Sequence, residues 1–146
     1  MTHHSLTVDR IERGLVIDHI SAGSGMKIYH HLNLDDLDCA VAMIRNVKSG
    51  KYGHKDIIKI ENNIYLDLNV LGYLDPNITV NVIEDGVITG KQKLILPTRI
   101  RNIVKCKNPR CITSIEQEVD HIFELTNEGA RSYRCVYCEQ AAPKTE

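Results

Sequence analysis

The chain has 146 residues, 42% of them hydrophobic and 25% charged, with a formal charge of −1, one Phe and no Trp. That length suits one domain or two small ones, and that composition excludes a disordered or fibrous chain. The sequence shows neither an apolar leader behind a basic start nor a run approaching the roughly 18 apolar residues that span a bilayer, so the expected location is cytoplasmic, with no membrane partner.

Charge is even along the chain. Lys plus Arg stand against Asp plus Glu at 10 to 12 through Pro97 and at 8 to 7 beyond it. A broad footprint for phosphate backbones is therefore missing and no nucleic-acid partner is expected. Arg99, Arg101, Lys105, Lys107 and Arg110 make only a local basic run. A solvated edge explains it, and a nucleic-acid module is the alternative.

In chain order, GLVIDHI (14–20) crowds apolar residues on both faces of an extended segment and predicts a first strand. SAGSG suits a turn and a helix start, and MKIYHHLNL follows as a short helix. AVAMIRNV and KDIIKIEN are β-rich runs joined by KSGKYGH, a hairpin connection. NIYLDLNVLGYLDP carries Ile64, Leu68, Leu71 and Leu74 at spacings of three and four, which predicts an amphipathic helix ended by Pro76. TVNVIEDGVITGKQKL reads as two strands around Glu84-Asp85-Gly86. This β-α-β-β-α-β order with one added strand predicts an α+β fold, a ferredoxin-like βαββαβ sandwich with helices on one face of the sheet. LPTRIRN is the expected boundary, dividing the chain into 1–97 and 98–146.

The tail alternates through IVKC, CITSIEQEV, HIFELTN and SYRCVYC like short strands, which predicts a small all-β domain. About 45 residues with one Phe bury little apolar surface, and such a core needs a staple. Cys106 and Cys111 form a C-x4-C pair, and Cys135 and Cys138 a C-x2-C pair. Two close pairs offer four soft ligands for tetrahedral zinc, one structural ion per chain, with no open position for a catalytic water. Disulfides and a C-x-x-C redox pair are the alternatives; a reducing compartment disfavours the first, and a C-x-x-C that follows a strand rather than opening a helix disfavours the second. Cys39 has no partner at motif spacing and reads as a small apolar residue.

No catalytic signature is present: no G-x-S-x-G, P-loop, H-E-x-x-H or glycine fingerprint. No catalytic residue is assigned. The unusual residues are Asp18 and His19 at the end of an apolar strand, Lys59 inside IIKIEN, and Lys91 after TG. Singly each is an edge or snorkelling side chain. Together, two lysines can neutralise phosphate while a carboxylate accepts from sugar hydroxyls, which is workable chemistry for a nucleotide. Neighbouring strand residues point to opposite faces, so Asp18 and His19 share a ligand only where the strand ends or twists. His3, His4, His30, His31, His54 and His121 receive no role.

Through RGLVIDHI, GHKDIIKIEN, TVNVI, ITGK, LPTRIRN and the C-x4-C, C-x2-C tail, the chain resembles the regulatory chains of aspartate carbamoyltransferase over essentially its full length. The resemblance implies a non-catalytic subunit of pyrimidine biosynthesis. An N-terminal allosteric domain would bind CTP as inhibitor and ATP as activator, with UTP as a further candidate, and a C-terminal zinc domain would contact catalytic chains. It implies regulatory homodimers that bridge catalytic trimers. Carried over by position, the nucleotide site comprises Ile11, Val16, Asp18, His19, Lys59, Asn81, Ile88 and Lys91, with Lys91 and His19 toward the phosphates and Asp18 and Lys59 nearer ribose and base. The carried-over metal ligands are Cys106, Cys111, Cys135 and Cys138. Asn108 and Glu139 match positions that meet the catalytic chain. Gly86 stands where enteric members carry an aromatic, and Arg110 stands where an asparagine is usual.

Overall fold

A computed structural model describes residues 10–50 and 53–143. His3 and His4, and Lys51 and Tyr52 of the expected hairpin connection, lie outside the described residues. The chain forms two compact units, one of residues up to Leu66 with Asn77–Lys93, the other of Asp67–Pro76 with Leu94 and the residues after it.

The first unit is an antiparallel sheet of β1 (Gly14–Ser21), β2 (Val41–Ser49), β3 (Gly53–Ile60), β4 (Thr79–Glu84) and β5 (Val87–Lys93) in the order β2-β3-β1-β4-β5. The first four strands follow the ferredoxin-like order, with β5 added at the edge beside β4. Between β1 and β2 run helix α1 (Gly25–His31) and a single 3-10 turn, Leu34–Asp36. Alternation along the strands sorts the side chains by face. Leu15 and Ile17 pair across to Ile60, Ile58, Val82 and Val80, and all but Val82 of these are buried. Ile28 of α1 and Leu34 of the 3-10 turn are buried as well. A two-residue turn joins β4 to β5, and Asp85 (φ 51) and Gly86 (φ 77) both take the left-handed conformation that such a tight hairpin requires.

Two bulges flank β3. The β1–β3 register shifts between Ile17 and Ile20, where His19 takes φ 60, and the β2–β3 register shifts between Ile44 and Val47, where Asn46 takes φ 60. Asp56 of β3, fully buried, supports the second bulge and the turn after β1: Oδ1 accepts from Asn46 N at 2.8 Å, and Oδ2 from Gly23 N at 3.1 Å and Gly25 N at 2.9 Å. One carboxylate thus ties a β2 bulge to the turn that opens α1.

The second unit contains helix α2 (Leu68–Leu74), a sheet of β6 (Arg99–Arg101), β7 (Ile122–Asn127) and β8 (Ser132–Cys135) in that order, and one helical turn, α3 (Ile112–Ile115). Helix α2 starts later than its apolar spacing predicts because Asp67 caps it, accepting from Asn69 N and Val70 N. IVKC and CITSIEQEV, expected as strands, are a loop and α3 with its exit: Cys111 carries the carbonyl that accepts from Ser114 N, so the chain coils there instead of extending. No helix among the described residues is long and apolar enough to cross a membrane.

Replacing Asp56 by alanine leaves three backbone N–H groups without their acceptor, that of buried Gly25 among them, and should destabilise the sheet unit by about 2–4 kcal/mol. Urea unfolding followed on tyrosine fluorescence with the metal centre kept intact measures this; a loss under about 1 kcal/mol would show that water takes over the carboxylate's bonds.

Candidate functional site

Across the first sheet, the register sets Lys59 of β3 opposite Val16 of β1, Val16 opposite Asn81 of β4, and Asn81 opposite Lys91 of β5. Directly opposed residues share a face, so these four form one transverse row, on the face opposite Leu15 and Ile17. Asn81 is only 8% exposed, and among the described residues its Oδ1 is the buried side-chain oxygen with no hydrogen-bond partner. Such an orphan is uncommon, and next to a lysine on an open face it points to a missing donor. Beside the row lies a cavity of about 290 Å³ lined by Arg10, Ile11, Val16, Lys59, Ile83, Gly86 and Ile88. Its walls are chiefly branched aliphatic, with two cations at the rim. That suits a flat heteroaromatic group with an anionic tail.

Of the residues named from the sequence, Ile11, Val16, Lys59 and Ile88 line this cavity, and Asn81 and Lys91 continue the row from it. Asp18 and His19 sit at the β1 bulge, the local twist that would let adjacent residues serve one region. Asp18 is engaged by Lys55 at 2.9 Å and accepts from His19 N at 2.7 Å, while His19 Nδ1 lies 2.9 Å from Thr79 Oγ1. His19 lines a second cavity of about 370 Å³ with Ser21, Asn46, His54 and Asn77, separate from the first. Lys55, Thr79 and Arg10 went unnoticed in the sequence. The alternation that puts Lys55 near Asp18 could have pointed to it, but nothing in the sequence marks Arg10.

In the second unit the four sulfurs of Cys106, Cys111, Cys135 and Cys138 all lie within 4.8 Å of one another. Cys106 Sγ is 3.6 Å from Cys138 Sγ, and Cys111 Sγ is 3.7 Å from Cys135 Sγ. A tetrahedron with metal–sulfur bonds of about 2.3 Å has edges of about 3.8 Å, so the quartet fits a tetrathiolate ion. Neither pair is at disulfide length, and the two short contacts each join one motif to the other, which is the arrangement of a shared four-sulfur centre. Burial pushes the Cys106 thiol up to about 12 and raises that of Cys135 as well. At Cys138 burial acts upward too, but hydrogen bonds from the Asn108 side chain, the Gln140 backbone and the neighbouring thiols bring it down to about 7. Four thiolates this close need a cation among them.

The surroundings hold the ligands in place. Thr113 Oγ1 lies 3.1 Å from Cys111 Sγ, and Cys106 N donates to His121 Nδ1 at 3.0 Å, so His121 has a supporting place that the sequence did not disclose. Asn108 is half-buried, its carbonyl accepting from Ser114 Oγ at 2.6 Å and its side chain from Arg110 N at 3.1 Å. Glu139 is exposed at φ 63, closing the Cys135–Cys138 turn with its N–H on Cys135 O at 2.9 Å. Around them Ile112, Ile115 and Tyr137 are exposed apolar side chains. The basic run is partly neutralised, Arg99 pairing with Glu124 and Arg101 with Asp120. That weakens the nucleic-acid alternative.

Comparison with known proteins agrees with this two-part geometry. The family model described as aspartate carbamoyltransferase regulatory chain, allosteric domain, matches residues 6–95, and the one described as the metal binding domain of the same chain matches residues 98–146. The aspartate carbamoyltransferase regulatory chains of Clostridium botulinum and Clostridium acetobutylicum are each 53% identical over 135 residues, covering 92% of this chain and 92% of theirs. That of Bifidobacterium longum is 39% identical over 137 residues, covering 94% and 99%. The chain therefore belongs to the aspartate carbamoyltransferase regulatory chains, non-catalytic subunits with an allosteric domain and a metal-binding domain.

Proposed function

We propose that this regulatory chain senses nucleoside triphosphates on the open face of its five-stranded sheet, with CTP inhibiting and ATP activating a partner catalytic chain and UTP a further effector. The row Lys59–Val16–Asn81–Lys91, with its orphaned Asn81 oxygen, carries this reading. The base lies against Ile11, Val16 and Ile88, Lys59 and Asp18 serve base and ribose, and Lys91 and His19 serve the phosphates. Along the sequence the effector domain runs over 1–97 and the zinc domain over 98–146, with Asp67–Pro76 and residues 94–97 of the former packing into the unit of the latter. Gly86, in the cavity wall, brings no side chain to the base, so selectivity falls to the hydrogen-bonding groups and the aliphatic walls.

The metal is a single zinc ion with a structural role. Zinc accepts four thiolates without geometric preference, and such binding is worth on the order of 10 kcal/mol, comparable to the whole stability of a small domain. The centre fixes the surface of Asn108, Glu139, Ile112, Ile115 and Tyr137 for a catalytic chain, and the regulatory chains pair as homodimers in the cytoplasm. Control of pyrimidine synthesis then requires that CTP and ATP bind opposite quaternary states with different affinity; a coupling of about 1–3 kcal/mol changes substrate affinity several-fold or more.

Reconstituting the chain with aspartate carbamoyltransferase catalytic trimers and measuring aspartate saturation should show CTP moving the curve to higher and ATP to lower substrate. Curves that ignore both nucleotides would reject the effector assignment. By calorimetry Lys91→Ala should weaken triphosphate binding about tenfold, the loss of one charge-assisted contact of about 1.4 kcal/mol; unchanged affinity removes Lys91 from the site. Elemental analysis should return one zinc per chain. Because thiols held protonated by burial must release protons to the metal, apparent zinc affinity should rise with pH, by about tenfold per pH unit for each proton displaced. Competition with a chromophoric chelator between about pH 6 and about pH 8 reads this, and a flat profile would contradict thiolate ligation.

A further inference from the structure

Asp67–Pro76 lies in sequence between two strands of the five-stranded sheet, yet it clusters with Leu94 and the residues after it. The attachment is specific. Arg131, at φ 53 in the turn between β7 and β8, donates from one guanidinium nitrogen to the carbonyls of Tyr73 at 3.0 Å and Leu74 at 3.3 Å. These end α2, where helical carbonyls lack partners and a cation is favoured. The Tyr73 ring meets Tyr133 edge to face, with centroids 5.0 Å apart, and the Tyr133 hydroxyl donates to Pro97 O. Gly72 lets the helix backbone approach the chain just before Pro97, since a Cβ there would stand 2.3 Å from Ile95 O. Tyr73 and Leu96 pack on the cluster that contains Cys106, Cys111 and Cys135.

Seven residues are too few for a helix to persist in water by itself, so α2 takes its order from packing. The core it packs on consists in large part of the metal ligands. We propose that α2 is a metal-dependent helix. It folds with the four-cysteine unit, with Arg131 as its positioning residue, and it passes the state of that unit to β4, which begins at Thr79 and carries Asn81. Only this last step rests on the effector reading above.

Hydrogen exchange on the full chain tests the first step. With metal bound, the amides of Leu71 and Asp75, which donate to Asp67 O and Leu71 O, should be protected; chelation should accelerate them about tenfold or more, together with β7 and β8, while β1, β3 and β4 keep their protection. Arg131→Ala should accelerate α2 alone with the metal retained, and Arg131→Lys should restore part of the protection. Amides of α2 that exchange equally with and without metal, or that follow the sheet strands, overturn the proposal. For the last step, enzyme reconstituted with Arg131→Ala should bind CTP with unchanged affinity by calorimetry, yet its CTP-induced shift of the aspartate curve should shrink at least about twofold. An unaltered shift, or a CTP affinity that falls with it, overturns passage to β4. A wild-type enzyme indifferent to nucleotides would instead remove the effector reading, leaving the metal dependence of α2 to stand or fall on exchange alone.

Discussion

Four sulfur atoms confined within 4.8 Å of one another set the terms for the C-terminal half of this chain. Its buried cluster contains Ile100, Val104, Phe123 and Tyr133, and the remaining buried members are Cys106, Cys111 and Cys135. The ligands are thus not appended to a core; they make up much of it. The strands around them span three to six residues, too little ladder to persist without a common anchor. Taking the sulfurs apart would remove the apolar centre and release the turns at Cys111 and Glu139 together. An ion at the middle offsets charge repulsion that burial would otherwise prevent by keeping the thiols protonated.

The sheet unit solves a different problem with no metal cluster among its described residues. It must bury one face under α1 while leaving the other to display polar groups, and its strands bend where the bulges at His19 and Asn46 disturb pairing with β3. Asp56, fully buried, offsets part of this by accepting from Asn46 N at one bulge and from Gly23 N and Gly25 N in the turn after β1. The other bulge, at His19 of β1, sets Asp18 beside Lys55 and His19 beside Thr79.

The row on the second face of the sheet carries one departure from ordinary burial. Asn81 is buried yet incompletely bonded, a combination that folding alone does not favour, since a leucine there would satisfy the sheet as well. Proteins keep such departures where a ligand completes them. Lys59 and Lys91 on either side of Val16 and Asn81 add positive charge on the same face, the sign an anionic effector requires.

Much of this was legible in the residues. Apolar and β-rich runs marked all five strands of the first sheet, the Asp85-Gly86 turn announced its hairpin, and the spacing of Cys106, Cys111, Cys135 and Cys138 announced a metal centre, because composition, turn chemistry and ligand spacing are local properties of the chain. Local pattern failed at IVKC and CITSIEQEV, where the demands of the sulfur cluster bend the backbone against its alternation, and at the start of α2, where a cap decided what apolar spacing could not. By itself, then, the sequence determined which segments extend, where they turn and which thiols gather. Tertiary structure alone decided that Lys59, Val16, Asn81 and Lys91 share one row, that Asp56 joins the β2 bulge to the turn before α1, and that α2 is built into the metal-binding unit. Each of these depends on pairing register and packing between segments distant in the chain, and no local periodicity encodes them.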